Sequence, residues 1–186
     1  MSENFKSGFV SLIGLPNAGK STLLNALVGQ KVAIVADKPQ TTRTSIQGVY
    51  TSPEAQIVFV DTPGIHKADT PLNKRLMDTV RNAVEERDLL LFVVDAARNF
   101  SDEDRRALDL ARKGETPVVL VLNKIDLVKE KAKLLPLIEE YRRLYDFVDP
   151  AMKNLRARLR LRFLQPRANA EQSFQTQHDR NRQIAQ

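Results

Sequence analysis

A chain of 186 residues, 42% hydrophobic and 28% charged, is the length of about one domain and has the make-up of an ordinary globular protein. It contains no cysteine, which excludes disulfides, thiolate metal sites and a cysteine nucleophile, and no apolar run approaches the ~18–20 residues that span a bilayer. The net charge of +6 is uneven: residues 1–150 carry 21 basic and 21 acidic side chains, and residues 151–186 carry eight and two. The polar start Met1-Ser2-Glu3-Asn4 has no signal-peptide pattern. All seven glycines precede residue 115. Two different kinds of sequence therefore meet near Asp149.

In chain order, Phe9-Val10-Ser11-Leu12-Ile13 reads as a short buried strand leading into Gly14-Leu15-Pro16-Asn17-Ala18-Gly19-Lys20-Ser21-Thr22. Leu23, Leu24, Leu27 and Val28 then fall on one helical face, and Gly29 stops the periodicity. Residues 31–45, containing Pro39-Gln40-Thr41-Thr42-Arg43, have no single period and read as an exposed connection. A strand at Ile46–Thr51, the turn signal Ser52-Pro53-Glu54 and a strand at Gln56–Val60 predict a hairpin, which ends in Asp61-Thr62-Pro63-Gly64. Residues 65–88 begin irregularly and become helical, with Leu72, Leu76, Val80 and Val84 about one turn apart. Leu89–Val94 is a continuous apolar run, the pattern of a strand covered on both faces. Ser101 followed by Asp102, Glu103 and Asp104 has the form of a helix start, and that helix runs to about Lys113 before Gly114. Val118–Leu122 is another buried strand, closing on Asn123-Lys124-Ile125-Asp126, with a helix after it at about Leu134–Tyr145. This alternation predicts an α/β fold: a mostly parallel sheet with helices on both faces, binding its ligand outside the carboxyl ends of the strands.

Strand, glycine-rich turn and helix with the spacing Gly-x4-Gly-Lys-Ser form the context of a phosphate-binding loop. Gly14 and Gly19 let the loop curl so that successive N–H groups point inward at a helix N-terminus. The residues expected to touch the nucleotide are Asn17, Ala18, Gly19, Lys20, Ser21 and Thr22. Lys20 brings a positive charge to the β- and γ-phosphates, and the Ser21 hydroxyl ligates Mg²⁺. Asp61, at a strand end, holds Mg²⁺ through a water, and the Gly64 amide approaches the γ-phosphate without side-chain obstruction. Asp126 can accept two hydrogen bonds from guanine's ring N–H and exocyclic amine, whereas adenine would turn an acceptor toward the carboxylate. Asn123 braces this loop, and the Lys124 stem lies along the ring face. The ordered trio favours GTP over ATP.

Gly14–Thr22, Pro39–Arg43, Asp61–Gly64, Asn123–Asp126 and Leu134-Leu135-Pro136-Leu137 together resemble the Era family, bacterial members of the Ras-like, translation-factor-related GTPases. Pro39–Arg43 is the distinctive run, the other motifs being widely shared among GTPases. The resemblance covers about residues 6–149 and implies a Ras-like P-loop domain that binds and hydrolyses GTP. It makes Thr42 the switch threonine that closes on Mg²⁺ and the γ-phosphate, with Thr41 the second candidate. Lys20, Thr42 and Gly64 become the catalytic set, and Ser21, Thr42 and Asp61 the metal set. Switch I is expected at about 31–45 and switch II at about 62–75. The implied partners are 16S rRNA and the small ribosomal subunit, for a monomeric cytoplasmic protein able to associate peripherally with the inner membrane. Related GTPases with Pro-Asn-x-Gly-Lys-Ser use K⁺ beside the β–γ bridge, which offers Asn17 as a ligand. The other reading of Asn17 is a hydrogen bond to the switch I backbone.

Two departures from the family stand out. Ile65 occupies the position of the water-orienting glutamine of Ras-type enzymes, so intrinsic hydrolysis is expected to be slow. His66 is read as a bystander rather than a base. After Phe147-Val148-Asp149 the family pattern enters a last strand, a Ser-Ala guanine loop and a KH-type RNA-binding domain. Here Pro150 to Gln186 contains no Ser-Ala loop and no Gly-x-x-Gly, so the last strand is expected to be missing. Arg158–Phe163 fits a strand and a helix equally, and the Gln-, Arg- and Asn-rich remainder reads as disordered. That tail is either an arginine-rich arm for rRNA phosphates or anionic lipid, or the product of a frameshift. Two alternatives to the switch enzyme are a nucleotide-gated RNA- or membrane-binding module and a truncated, non-functional fragment.

Overall fold

The computed structural model describes residues 5–35, 42, 44–67, 69–85 and 87–148. Pro39–Thr41, Arg43 and the tail from Asp149 onward lie outside them. The described residues form β1 (Lys6–Ile13), α1 (Lys20–Val28), β2 (Ile46–Thr51), β3 (Ala55–Asp61), α2 (Pro71–Val84), β4 (Leu89–Asp95), α3 (Asp102–Ala111), β5 (Val118–Asn123) and α4 (Leu134–Leu144). Short 3₁₀ turns at Ile125–Leu127 and Lys131–Lys133 lead from β5 into α4.

The strands make one sheet in the order β2-β3-β1-β4-β5, parallel throughout except for the β2–β3 hairpin. β4 shows why the sequence folds this way. Alternate residues of a strand point to opposite faces: Leu90, Phe92 and Val94 join one core with Val80 and Val84 of α2, Leu108 of α3 and Tyr141 of α4. Leu89, Leu91 and Val93 join the other with Val10, Leu12 and Leu24 of α1. A strand apolar at every position thus requires cover on both sides, which helices supply. The Ras-like α/β expectation is borne out.

Local signals set the helix ends. Gly29 takes the left-handed conformation at φ 77° and its N–H returns to the Asn25 carbonyl, ending α1. Ser101 and Asp104 form a reciprocal capping box at the start of α3. That helix stops at Ala111, two residues short of expectation, and Arg112 satisfies the Leu108 carbonyl as the turn tightens. In α2 the expected stripe holds for Leu76, Val80 and Val84, but Leu72 in the first turn stays exposed. Tyr141 pins α4 to this assembly: its hydroxyl donates to Asp104 Oδ1 at 2.8 Å, while Ser101 Oγ donates to Oδ2 of the same carboxylate at 2.6 Å.

β5 is the edge strand among the described residues, and Val148 begins to pair with it, its N–H reaching the Val118 carbonyl at 2.8 Å. The fate of the sixth strand falls outside the described residues.

Candidate nucleotide-binding site

The carboxyl ends of β1, β3, β4 and β5 converge on one rim, where Gly14–Thr22, Asp61–Gly64 and Asn123–Asp126 lie. Gly14 leaves β1 at φ 146°, where a Cβ would lie 2.2 Å from the Val93 carbonyl oxygen. Gly19 caps α1 at φ 90°, and a Cβ there would lie 2.2 Å from Asn123 Nδ2. Both positions therefore exclude any other residue, by backbone conformation and by space. Asn17 is left-handed too, at φ 59°, a region that Asn tolerates better than most residues. Its side chain is exposed.

Lys20 is 6% exposed, and its Nζ donates to the Gly14 and Leu15 carbonyls at 3.1 and 2.9 Å. It therefore spans the mouth of its own loop. Burial pushes its pKa down to about 8, with the Asp61 charge acting in the opposite sense.

Beside the loop, Ser21, Thr42 and Asp61 come together from α1, the connection after it and the end of β3. Ser21 Oγ and Thr42 Oγ1 both donate to Asp61 Oδ2, at 2.6 and 3.0 Å, and stand 3.3 Å from each other. Asp61 is fully buried, yet its Oδ1 has no hydrogen-bond partner among the described residues. A buried, unsatisfied carboxylate oxygen needs an explanation. Two hydroxyls and one carboxylate are the all-oxygen donor set of a hard cation. Among the described residues there is no group of three His, Cys, Asp or Glu side chains able to hold a metal alone. A small dication suits such a partial shell, because Mg²⁺ keeps waters and takes further ligands from phosphate. The residues present therefore fit Mg²⁺.

Gly64 is set by a different constraint. A Cβ there would lie 2.7–2.8 Å from Pro16, in the phosphate loop, and the next amide, of Ile65, donates to the Gly14 carbonyl at 3.1 Å. Thr62 is anchored below by a 2.7 Å hydrogen bond to the Leu12 carbonyl. Asp61–Gly64 is thus packed directly against the loop. Ile65 turns away from the rim into the core with Leu15, Met77 and Leu110, so it offers nothing to a water. His66 is half-buried, its N–H directed to the Met77 sulfur at 3.4 Å. It lines a cleft of about 410 Å³ between α2 and α3 with Ile65, Met77, Glu103 and Leu110. Burial, with the Lys20 charge second, holds its pKa below the usual imidazole value.

The base loop approaches from β5. Asn123 Nδ2 donates to the Ala18 carbonyl at 2.8 Å, tying the loop to the phosphate loop. Lys124 is left-handed at φ 57° and starts the 3₁₀ turn that carries Asp126. Its Nζ pairs with Asp95 Oδ2 at 2.9 Å. Asp95, the last residue of β4, escaped the sequence reading. Its signal was its place: an acid closing an apolar strand one position across the sheet from Asn123.

The sequence profile of the family described as 50S ribosome-binding GTPase matches residues 9–124. GTPase Era of Geotalea uraniireducens is 49% identical over 145 residues, which cover 78% of this chain and 48% of the relative. Era in complex with MgGDPNP and nucleotides 1506–1542 of 16S ribosomal RNA is similar in structure at TM-score 0.71 and 39% identity, over 75% of this chain and 47% of that one. A variant of Aquifex aeolicus Era bound to GDP and AlF₄⁻ has TM-score 0.70 and 39% identity, over 74% and 47%. NFeoB from S. thermophilus, bound to GDP, AlF₄⁻ and K⁺, has TM-score 0.53 and 27% identity, over 65% and 46%. The chain spans about half the length of the curated relatives that it matches. With the phosphate loop, the Ser21–Thr42–Asp61 cluster and the Asn-Lys-x-Asp loop on one rim, and the family profile running from the first strand to Lys124, the chain belongs to the 50S ribosome-binding GTPases and resembles the GTPase half of Era.

Proposed function

We propose that residues 6–149 form a GTP-binding and GTP-hydrolysing switch of the Era type, acting on 16S rRNA in small-subunit assembly. The convergence of Ser21 and Thr42 on Asp61 carries this reading. What supports it is that these three oxygens lie within reach of one cation, a meeting that a plain phosphate-binding turn has no need to make. Ser21, Thr42 and Asp61 would hold Mg²⁺, whose charge would offset that developing on the transferring phosphoryl group. Lys20 leaves the Gly14 and Leu15 carbonyls for the β- and γ-phosphates, Gly64 offers its amide to the γ-phosphate, and residues 17–22 wrap the chain of phosphates. Asp126 reads guanine, with Asn123 and Lys124 holding its loop. Thr42 and the segment from Thr62 are ordered by the γ-phosphate and released after hydrolysis.

K⁺ is the second cation of the proposal. Ile65 lies in the core, so stabilisation of the transferring phosphoryl group falls to fixed charges. Asn17 stands exposed within the loop, and NFeoB, a related fold, is known with K⁺. The 16S rRNA partner follows the solved Era complex, and the eight basic residues of 151–186 supply electrostatic contact with RNA.

Single-turnover hydrolysis of γ-labelled GTP, with Mg²⁺ or with chelator, tests the switch. The expected result is slow, Mg²⁺-dependent cleavage of GTP and none of ATP. Tight GTP binding without cleavage, under either cation and with or without RNA, would make the chain a nucleotide-gated binding module instead.

A further inference from the structure

We infer that Asp95 is a positioning residue for base recognition, acting through Lys124; the inference rests on the guanine-binding reading above. Among the described residues only two non-glycine positions have positive φ, Asn17 and Lys124. A long side chain in the left-handed region is strained, and such strain persists where the surroundings hold it. At Lys124 the kink turns the chain from β5 into the 3₁₀ turn and sends the side chain back across the rim toward β4. There Nζ meets Asp95 Oδ2 at 2.9 Å.

Both ends of this connection are fixed. The other carboxylate oxygen of Asp95 accepts the Ala97 N–H at 3.0 Å, and the Asp95 carbonyl accepts the Arg98 N–H at 3.1 Å, so the acid sits in a closed turn. Its backbone is in register with Asn123, and the neighbouring Ala96 N–H donates to the Asn123 carbonyl at 2.9 Å. Along the Lys124 stem, Cε comes within 3.9 Å of the point where a Cβ on Gly19 would stand. The methylenes therefore stretch from the phosphate loop to the end of β4, held at the far end by the ion pair. A lysine so extended presents a flat apolar edge on which a purine can lie. Freed from Asp95, the same stem would sample many rotamers, and a base would have to order it on binding.

The fate of a ligand with no base separates positioning from general support. Asp95→Asn keeps the size of the side chain and the acceptor for Ala97 while removing the charge. We expect GDP affinity to fall about tenfold, mainly through faster release, with affinity for inorganic tripolyphosphate unchanged within twofold. Lys124→Gln produces a similar loss, and the double variant loses no more than either single one, as coupled partners do. Asp95→Glu recovers part of the affinity. An equal loss for tripolyphosphate, additive losses in the double variant, or GDP affinity unchanged in Asp95→Asn would overturn the inference. If Asp95→Asn lowers the melting temperature, the additivity test is run with Asp95→Glu. Wild-type protein that binds ADP as well as GDP would instead remove the guanine reading on which it rests.

Discussion

Lys20 gives the sharpest link between geometry and a measurable curve. Its ammonium lies 6% exposed against two loop carbonyls, and burial brings its pKa from 10.5 to about 8. At about 1.4 kcal/mol per tenfold, holding that charge in the closed loop costs about 3 kcal/mol. Phosphate oxygens in the nest return the amine to its ordinary range, so binding takes up a proton wherever the free loop holds a neutral lysine. Between pH 7.5 and 9 the protonated fraction falls from roughly three quarters to roughly one tenth, and GDP affinity should fall roughly tenfold with it. Calorimetry at pH 9 in two buffers of different ionisation enthalpy should register close to one proton taken up. Guanine's ring N–H also begins to ionise near the top of this range, so Lys20→Arg, charged throughout, is the reference and should show a flatter curve. Equal slopes for wild type and Lys20→Arg, or no proton uptake at pH 9, would refute the reasoning. Folding carries the opposite signature. The unfolded chain keeps the Lys20 proton up to about pH 10.5 and the folded one only to about 8. The unfolded state thus binds more protons in between, and stability contributed at this site rises with pH across that window.

Replacing Asp126 with Asn should move preference from guanosine toward xanthosine nucleotides by about 100-fold or more; competition binding with undiminished GTP preference would contradict the base assignment. Ser21→Ala should bring the ratio of GTP affinities with Mg²⁺ and with chelator close to one, whereas a ratio like that of wild type would remove Ser21 from the metal set. Hydrolysis should run faster in K⁺ than in Na⁺ at matched ionic strength, and Asn17→Ala should erase the difference; a K⁺ effect that survives the substitution places the ligand elsewhere. RNA contact made by the basic residues of 151–186 should be sequence-independent and fall steeply with salt. Discrimination of the 16S 3′ end from a scrambled oligonucleotide at about 200 mM salt, a level at which phosphate contacts alone are strongly weakened, would overturn that.

The strands and the motif positions were legible because their causes are local. Leu89–Val94 announces two covered faces by being apolar throughout, and Gly29 ends a helix with its own backbone. Ser21, Thr42 and Asp61 were assigned from a loop spacing and a family pattern, and their meeting on one oxygen is something only the fold supplies. Ile65 was read as a residue unable to hold water. That it serves as core, packed with Leu15 and Met77, depends on α2 and α3 arriving from elsewhere in the chain. Asp95 was missed because its meaning lies across the sheet, where its neighbour is Asn123 rather than Ala96. Leu72 misled because helical spacing says which residues share a face, while the reach of the sheet beneath decides how far along the helix that face is covered.

The hairpin at the sheet edge has a further consequence, in time rather than in space. Ile46, the first residue of β2, is paired directly with Asp61, the acid that gathers the two hydroxyls. Only three residues separate Ile46 from Thr42, so whatever releases the threonine should also loosen the first rung of the edge strand. Gly48 lies within 2.7–3.2 Å of Val28, Leu24 and Val32 at the position of a missing Cβ, which clamps the strand a short way along. Fraying is thereby confined to the rungs before Gly48. The Ile46 amide becomes a clock for the nucleotide state: its deuterium uptake should be slow while a γ-phosphate is held and quicken after it leaves, as that of β4 stays constant.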